Sequence, residues 1–281
     1  MRKKLLISAV VSGMALLARS RGAPASVTLP DSAAENRQPA VGSLSVLSLN
    51  LGHGRGQASS QWRLSAAGHQ GALEQVAALL QREDADVIAL QEVDASCWWS
   101  GGFNHLERLQ GVLGGPASAH GIHARQAGLR YGTALLGQDA LTDSVSHTFG
   151  AAGFSPRKGV TVARTTLDGR PVDVVSLHLD FALSSVREAQ LTELAALLEQ
   201  RSTPTVLVGD FNMEPHAVER FAQQLSLHTV TPTVTFPRTG GRIDHVLVTG
   251  ELEITDLAVL PDHVSDHRAV RASVRWRAVE G

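Results

Sequence analysis

The feature that most constrains this chain is a set of eight short apolar runs, at residues 44–49, 85–90, 131–136, 159–167, 172–179, 205–208, 243–248 and 269–276. They have the length of buried β-strands and are too short for ordinary helices. Amphipathic stretches separate some of them. Leu73, Val76, Ala77 and Leu80 share one face of a helix ending near Arg82. Ser185 and Glu188 form a capping box that opens a second helix running to Gln200, and Pro215 suits the first turn of a third. Asp168-Gly169, between two of the runs, predicts a tight hairpin turn and therefore an antiparallel pair. Strict strand–helix–strand alternation is missing. The pattern accordingly predicts an α+β sandwich of two packed sheets in place of a doubly wound parallel sheet.

With 281 residues and 43 % hydrophobic content, the chain can bury the core of one large folded unit. Its single cysteine, Cys97, excludes both a disulfide framework and a multi-cysteine zinc site, so any metal must sit on oxygen or histidine. Charge is unevenly placed. The first 25 residues hold Arg2, Lys3, Lys4, Arg19 and Arg21 and no acid, leaving 20 basic against 27 acidic side chains in the rest. A remainder that negative has no global field for nucleic acid or anionic lipid, and an anionic substrate needs a local remedy such as a divalent cation. Arg2-Lys3-Lys4, the apolar run 5–18 and Ala23-Pro24-Ala25 have the layout of a secretory signal cleaved near Ala25, predicting a secreted or periplasmic protein. The expected organisation is a signal at 1–25, a Pro-, Ser- and Ala-rich linker at 26–42, the folded domain at 43–276 and a tail at 277–281.

Polar residues recur where the apolar runs stop. Asn50 and Glu92 end the first two, and each alone reads equally well as a turn former. His178 and Asp180 are two apart, which in a strand places them on one face, where an imidazole beside a carboxylate can work as acid or base or simply form a hydrogen-bonded pair. Val208-Gly209-Asp210-Phe211-Asn212 delivers an aspartate and an asparagine around an aromatic anchor, and Gly209 permits a close approach of backbone or ligand. Asp244-His245 and Asp266-His267 add two further pairs. Three Asp/His clusters exceed what turns require. Together the residues suggest Glu92 and Asp266 holding a Mg²⁺-like ion, Asp210 and Asn212 placing a nucleophilic water, and histidines handling protons, a set suited to hydrolysing phosphate esters.

The ordered series Leu49-Asn50, Gln91-Glu92-Val93, Tyr131-Gly132-Thr133-Ala134, His178-Leu179-Asp180, Gly209-Asp210-Phe211-Asn212, Arg242-Ile243-Asp244 and Ser265-Asp266-His267 resembles the endonuclease/exonuclease/phosphatase superfamily. The resemblance covers residues 43–276. It implies four layers, with two central mixed β-sheets flanked by helices and the site at one end of them. By position it implies Glu92 as main metal carboxylate, Asn50 nearby and Asp266 a further ligand or outer contact, with Mg²⁺, Mn²⁺ or Ca²⁺ as the ion. Asp210 would orient the water, Asn212 contact the phosphate, and Asp244 fix the tautomer of His267, which would be base or phosphate stabiliser. His178 would stabilise phosphoryl oxygens or donate a proton, and Tyr131 corresponds to an aromatic contact that core packing explains equally well. One departure stands out. Where related enzymes place a glutamate that orients the histidine, this chain has Ser155-Pro156-Arg157-Lys158, leaving Asp180 as the expected substitute orienter of His178.

The superfamily resemblance fixes a reaction type more than a substrate. It implies a phosphodiesterase acting on nucleic acid or a phospholipid head group, with a phosphomonoesterase on a small polyol or inositol phosphate as the alternative and a non-catalytic binding module as a third class. No protein partner is evident, and the chain is read as a monomer. Trp98 and Trp99, soon after Glu92, either stack on a base or a membrane interface or cover the core. Lys158 is the only lysine beyond residue 25. A compact ammonium there is expected either to contact a substrate phosphate or to be a solvated strand start.

Overall fold

The central strands are buried on both faces, and the alternation of their side chains between those faces decides the architecture. A computed structural model describes residues 23–34, 40–126, 128–153 and 155–278. Its strands are β1 (Ala25–Thr28), β2 (Leu44–Asn50), β3 (Val87–Asp94), β4 (Ala117–Gln126), β5 (Leu129–Gly137), β6 (Thr142–Thr148), β7 (Gly159–Leu167), β8 (Arg170–His178), β9 (Thr205–Asp210), β10 (His228–Thr229), β11 (Asp244–Val248), β12 (Leu252–Val259) and β13 (Val270–Trp276). The described α-helices are α1 (Ala66–Glu83), α2 (His105–Val112), α3 (Ser184–Glu199) and α4 (Pro215–Gln224).

The strands form two sheets, ordered β1-β6-β7-β8-β9-β11-β10 and β12-β13-β2-β3-β5-β4. Both are mixed, because β2 runs parallel to β3 and β8 parallel to β9 while the other pairs are antiparallel. Leu44 and Val46 of β2 and Val87 and Ala89 of β3 pack between the sheets, against Val174 of β8, Val206 and Val208 of β9 and Val246 of β11. The alternate residues Leu47, Leu49, Ile88 and Leu90 face the other way, onto Leu73, Val76 and Leu80 of α1 and Leu109 of α2. On the opposite outer face, Val175, Leu177, Leu207 and Leu247 pack on Leu194 of α3 and Val218 and Phe221 of α4. Helix, sheet, sheet and helix give the four layers that the resemblance implies, built on the two packed sheets that the residue pattern predicts.

Local signals held where they rested on backbone chemistry. Asp168 and Gly169 both have positive φ, 53° and 69°, as a two-residue hairpin turn requires, and Pro215 lies in the first turn of α4. The capping box did not form: the N-cap of α3 is Leu183, two residues before Ser185, and its entry is held by Asp180 Oδ1, which accepts from Ala182 N and Leu183 N, both at 2.9 Å. The linker expectation is also corrected. Residues 25–28 are an edge strand paired antiparallel with β6, and Leu29 N donates to Ser144 O at 2.8 Å. An exposed edge strand is held by main-chain bonds, so its side chains carry no apolar pattern to reveal it. β4 was missed for a related reason. Its inward positions are Ala117, Ala119 and Gly121, small residues that let the two sheets approach closely. The segment read as a signal lies outside the described residues up to residue 22.

Candidate active site

The inward-facing rows that carry valine and alanine in the middle of the sandwich turn polar at one end. On the first sheet, register places His178 directly opposite Asp210 and Asp210 directly opposite Asp244, so three strands present a row of imidazole and two carboxylates. Gly209, before Asp210, has φ 143°, and a Cβ there would collide with the Leu177 carbonyl, so its close approach is to backbone. On the facing sheet, Asn50 ends β2 opposite Gln91 of β3. Glu92 interrupts the β3–β5 ladder as a bulge with φ 53°, and the bulge re-aims its side chain.

Asp244 and His267 form the expected pair, with His267 Nδ1 donating to Asp244 Oδ2 at 2.9 Å. Burial alone would lower the imidazole's pKa, but Asp244, by charge and hydrogen bond, and Asp210 raise it to about 10. His267 is therefore an imidazolium at neutral pH. Its Nε2 faces Asp210 Oδ2 at 3.8 Å. Burial drives the Asp210 pKa upward, assisted by Asp244 and opposed by His267, the Asn212 N–H and Asn50. Asn212, in a left-handed conformation, gives its backbone N–H to Asp210 Oδ1 (2.9 Å) and its side-chain amide to Leu179 O (3.0 Å). Asp210, Asp244 and His267 offer ligand-type atoms all within 4.8 Å of one another, a grouping among the described residues that could hold a cation.

Glu92 lies among basic side chains. One oxygen faces Lys158 Nζ (3.8 Å) and His178 Nε2 (3.9 Å), the other His53 Nε2 (3.4 Å) and Arg55 Nη1 (3.8 Å). Burial opposes ionisation, but His53, Lys158, His178 and Arg55 together hold the carboxyl far below the usual range. Asp266 pairs with Arg55, whose Nη2 donates to it. Asn50 reaches neither carboxylate. Its Oδ1 accepts from Gly52 N (2.9 Å) and its Nδ2 donates to Asp210 (3.0 Å), making it a tether between sheets. The donor chemistry of Glu92 and Asp266 fits a hard divalent cation, since both are ionisable oxygen donors at one mouth and are already matched to a positive partner in Arg55.

Two expectations change here. Asp180 does not orient His178: β8 ends at His178, the chain turns, and the fully buried Asp180 carboxylate accepts from Ser155 Oγ and the α3 entry. In its place Lys158 Nζ donates to His178 Nε2 at 3.1 Å, and burial followed by the Lys158 charge pushes the imidazole pKa well below its ordinary value. His178 is thus neutral. Lys158 itself is not a solvated strand start. It is 5 % exposed, with its Nζ 6.0 Å from the Tyr131 ring centroid.

Tyr131 packs with Cys97, Ala124, Leu129 and Trp99, and its ring stands edge-on to His53 at 4.7 Å. Trp99 also covers His53, while Trp98 is exposed against Trp62, so the two tryptophans divide the readings between them. The residue pattern did not disclose His53, Arg55 or Asp94. Asp94 accepts from His53 Nδ1 (2.7 Å), Trp99 Nε1 (2.8 Å) and Ser100 Oγ (2.5 Å), and so aims His53 at Glu92. The available signal was the glycine alternation Gly52-His53-Gly54-Arg55-Gly56 immediately after Asn50.

Residues 47–267 match the model of the Endonuclease/Exonuclease/phosphatase family. Among solved structures, an endonuclease/exonuclease/phosphatase from Beutenbergia cavernae is similar with TM-score 0.68 at 18 % identity, covering 83 % of this chain and 72 % of that one. The mannosyl-6-phosphatase Bt3783 of Bacteroides thetaiotaomicron gives TM-score 0.64 at 18 % identity, covering 83 % and 100 %. Beta toxin from Staphylococcus aureus gives 0.58 at 15 %, covering 82 % and 99 %. No curated protein sequence matches the chain.

Proposed function

The chain belongs to the Endonuclease/Exonuclease/phosphatase family and is a hydrolase of phosphoric ester bonds, and from that premise we propose that it is a metal-dependent phosphodiesterase. The observation that carries this reading is the row His178–Asp210–Asp244 with His267 behind it, facing Glu92 across the gap between the sheets. Asp210, with its raised pKa, is the base that receives the proton of the attacking water. His267, protonated and fixed by Asp244, then stabilises charge that develops on the phosphoryl oxygens, so of its two expected roles the second is favoured. Lys158, with the neutral N–H-bearing ring of His178 beside it, supports the same oxygens.

A divalent cation on Glu92 and Asp266, which we assign as Mg²⁺, would neutralise the phosphoryl group and the departing oxygen when bound. The phosphomonoesterase alternative draws on the similarity to Bt3783 and on the cations around Glu92, which suit a phosphate of higher charge. Hydrolysis of bis-p-nitrophenyl phosphate and p-nitrophenyl phosphate, each with Mg²⁺ and with excess chelator, separates the two. Preference for the diester with loss of turnover in chelator is expected; preference for the monoester selects the alternative, and full turnover in chelator sinks the metal reading. Duplex DNA and sphingomyelin, assayed side by side, then divide nuclease from phospholipid-type action. We also propose export with cleavage near Ala25, supported by the basic and apolar start. Mass spectrometry of secreted protein should give a first residue at or just after Ser26, and Met1 on a soluble secreted form would refute it.

A further inference from the structure

The carboxylates assigned to the ion already hold a cation of the protein's own. Arg55 follows the tight turn after β2, and its guanidinium forks. Nη2 donates to Asp266, while Nη1 donates to Gly52 O at 2.9 Å and lies 3.8 Å from Glu92 Oε2. The turn is shaped for this contact. Gly52 has φ 54°, and a Cβ there would lie 2.7 Å from Asp266 Oδ1 and 3.2 Å from the Arg55 guanidinium carbon, so bare backbone is what lets the two side chains meet.

The two carboxylates depend on Arg55 unequally. Glu92 also has His53, Lys158 and His178 within 3.9 Å, and His53 and Lys158 are each fixed by a second partner, Asp94 and His178. The cation within 4.0 Å of Asp266, among the described residues, is Arg55. Glu92 can therefore lose Arg55 and keep Lys158 and His53 beside it, whereas Asp266 then has no cation within 4.0 Å among the described residues. The planar fork matters too, because its two Nη atoms, held at a fixed spacing, serve the Asp266 carboxylate and the Gly52 carbonyl separately. Arg55 and Asp266 side chains are 17 % and 18 % exposed, so the pair is at the mouth of the site and able to open.

We propose that Arg55 is a place-holding residue of the ion site: it keeps Glu92 and Asp266 in register while no ion is bound, and releases Asp266 when a divalent cation enters. This rests on Glu92 and Asp266 being the ion's ligands. Breaking a part-exposed pair of this kind sets a small penalty on ion entry, so removing Arg55 tightens ion binding by a factor of about five or more. It also lowers the stability of the ion-free protein, in which two carboxylates then face each other without a shared counter-charge.

The test is Mn²⁺ binding to the full chain without substrate, followed by electron paramagnetic resonance of the free ion, in wild type, Arg55→Ala and Arg55→Met, with melting temperature read at zero and saturating Mn²⁺. Tighter Mn²⁺ binding in both variants, with a lower ion-free melting temperature that Mn²⁺ restores, is the expected result. Binding equal to or weaker than wild type in both overturns the proposal. Glu92→Gln and Asp266→Asn, measured alongside, report on the premise alone: they should lose Mn²⁺ affinity, and wild-type affinity in both would mean that the ligand assignment has failed, whatever Arg55 does.

Discussion

The side-chain amide of Asn50, at the end of one sheet, donates to the carboxylate of Asp210, in the other, at 3.0 Å. This bond joins the two sheets at the site and stabilises the ionised form of Asp210 against the burial that raises its pKa to about 7. If Asp210 is the base, kcat/KM should rise with pH through an acid limb near that value. Asn50→Ala removes a bond to the charged form and should move the limb upward by about one pH unit, equivalent to roughly 1.4 kcal/mol. A pH profile unchanged by the substitution would show that another group sets the limb.

Replacing His267 by alanine should lower kcat by about 10²–10⁴-fold, the range expected for a positioned acid–base or charge-stabilising imidazole. Asp244→Asn should follow it partway, because Asp244 acts on the reaction through the ring it holds. The double variant should be no worse than His267→Ala. Losses that multiply in the double variant would separate the two residues functionally.

Lys158 is enclosed by His178, Glu92 and the Tyr131 ring, a space fitted to an ammonium. Both Lys158→Arg and Lys158→Ala should therefore lower kcat/KM by at least about tenfold, roughly 1.4 kcal/mol, the arginine failing on shape and the alanine on charge. Steady-state kinetics on the preferred substrate check this, and wild-type values for both variants would place the lysine outside the reaction.

Stability should fall in mild acid through a group away from the reacting row. His123, buried between the sheets, exchanges hydrogen bonds with Thr133 Oγ1 (2.9 Å) and Thr148 Oγ1 (3.1 Å), and burial, then His120 and His147, push its pKa down to about 3. The folded ring stays neutral where the unfolded one, at about 6.5, takes up a proton. The unfolded state thus binds more protons below pH 6.5. Its contribution is complete above that pH and declines as pH falls toward 3, at up to about 1.4 kcal/mol per unit. Urea unfolding from pH 7 to 4 should show the decline, and His123→Gln should flatten it.

What the sequence determined by itself is whatever depends on neighbours along the chain. The β-branched runs, the Asp168-Gly169 turn and Pro215 act through local backbone preference, and Asn50 and Asp210 at strand exits and Asp244 at a strand start sit at the ends of rows whose inward face is set by period-two alternation. The tertiary structure decided what lies across from what. Asp180 and His178, two residues apart, part company because the strand ends between them, while Lys158 comes to His178 from just before the neighbouring strand β7. Arg55 meets Asp266 across 211 positions of sequence, and Asn50 meets Asp210 across 160. No periodicity records such pairs, because the contact depends on how two sheets twist and pack face to face. β1 is the opposite case: an exposed strand held by its pairing with β6, it leaves no side-chain pattern to read at all.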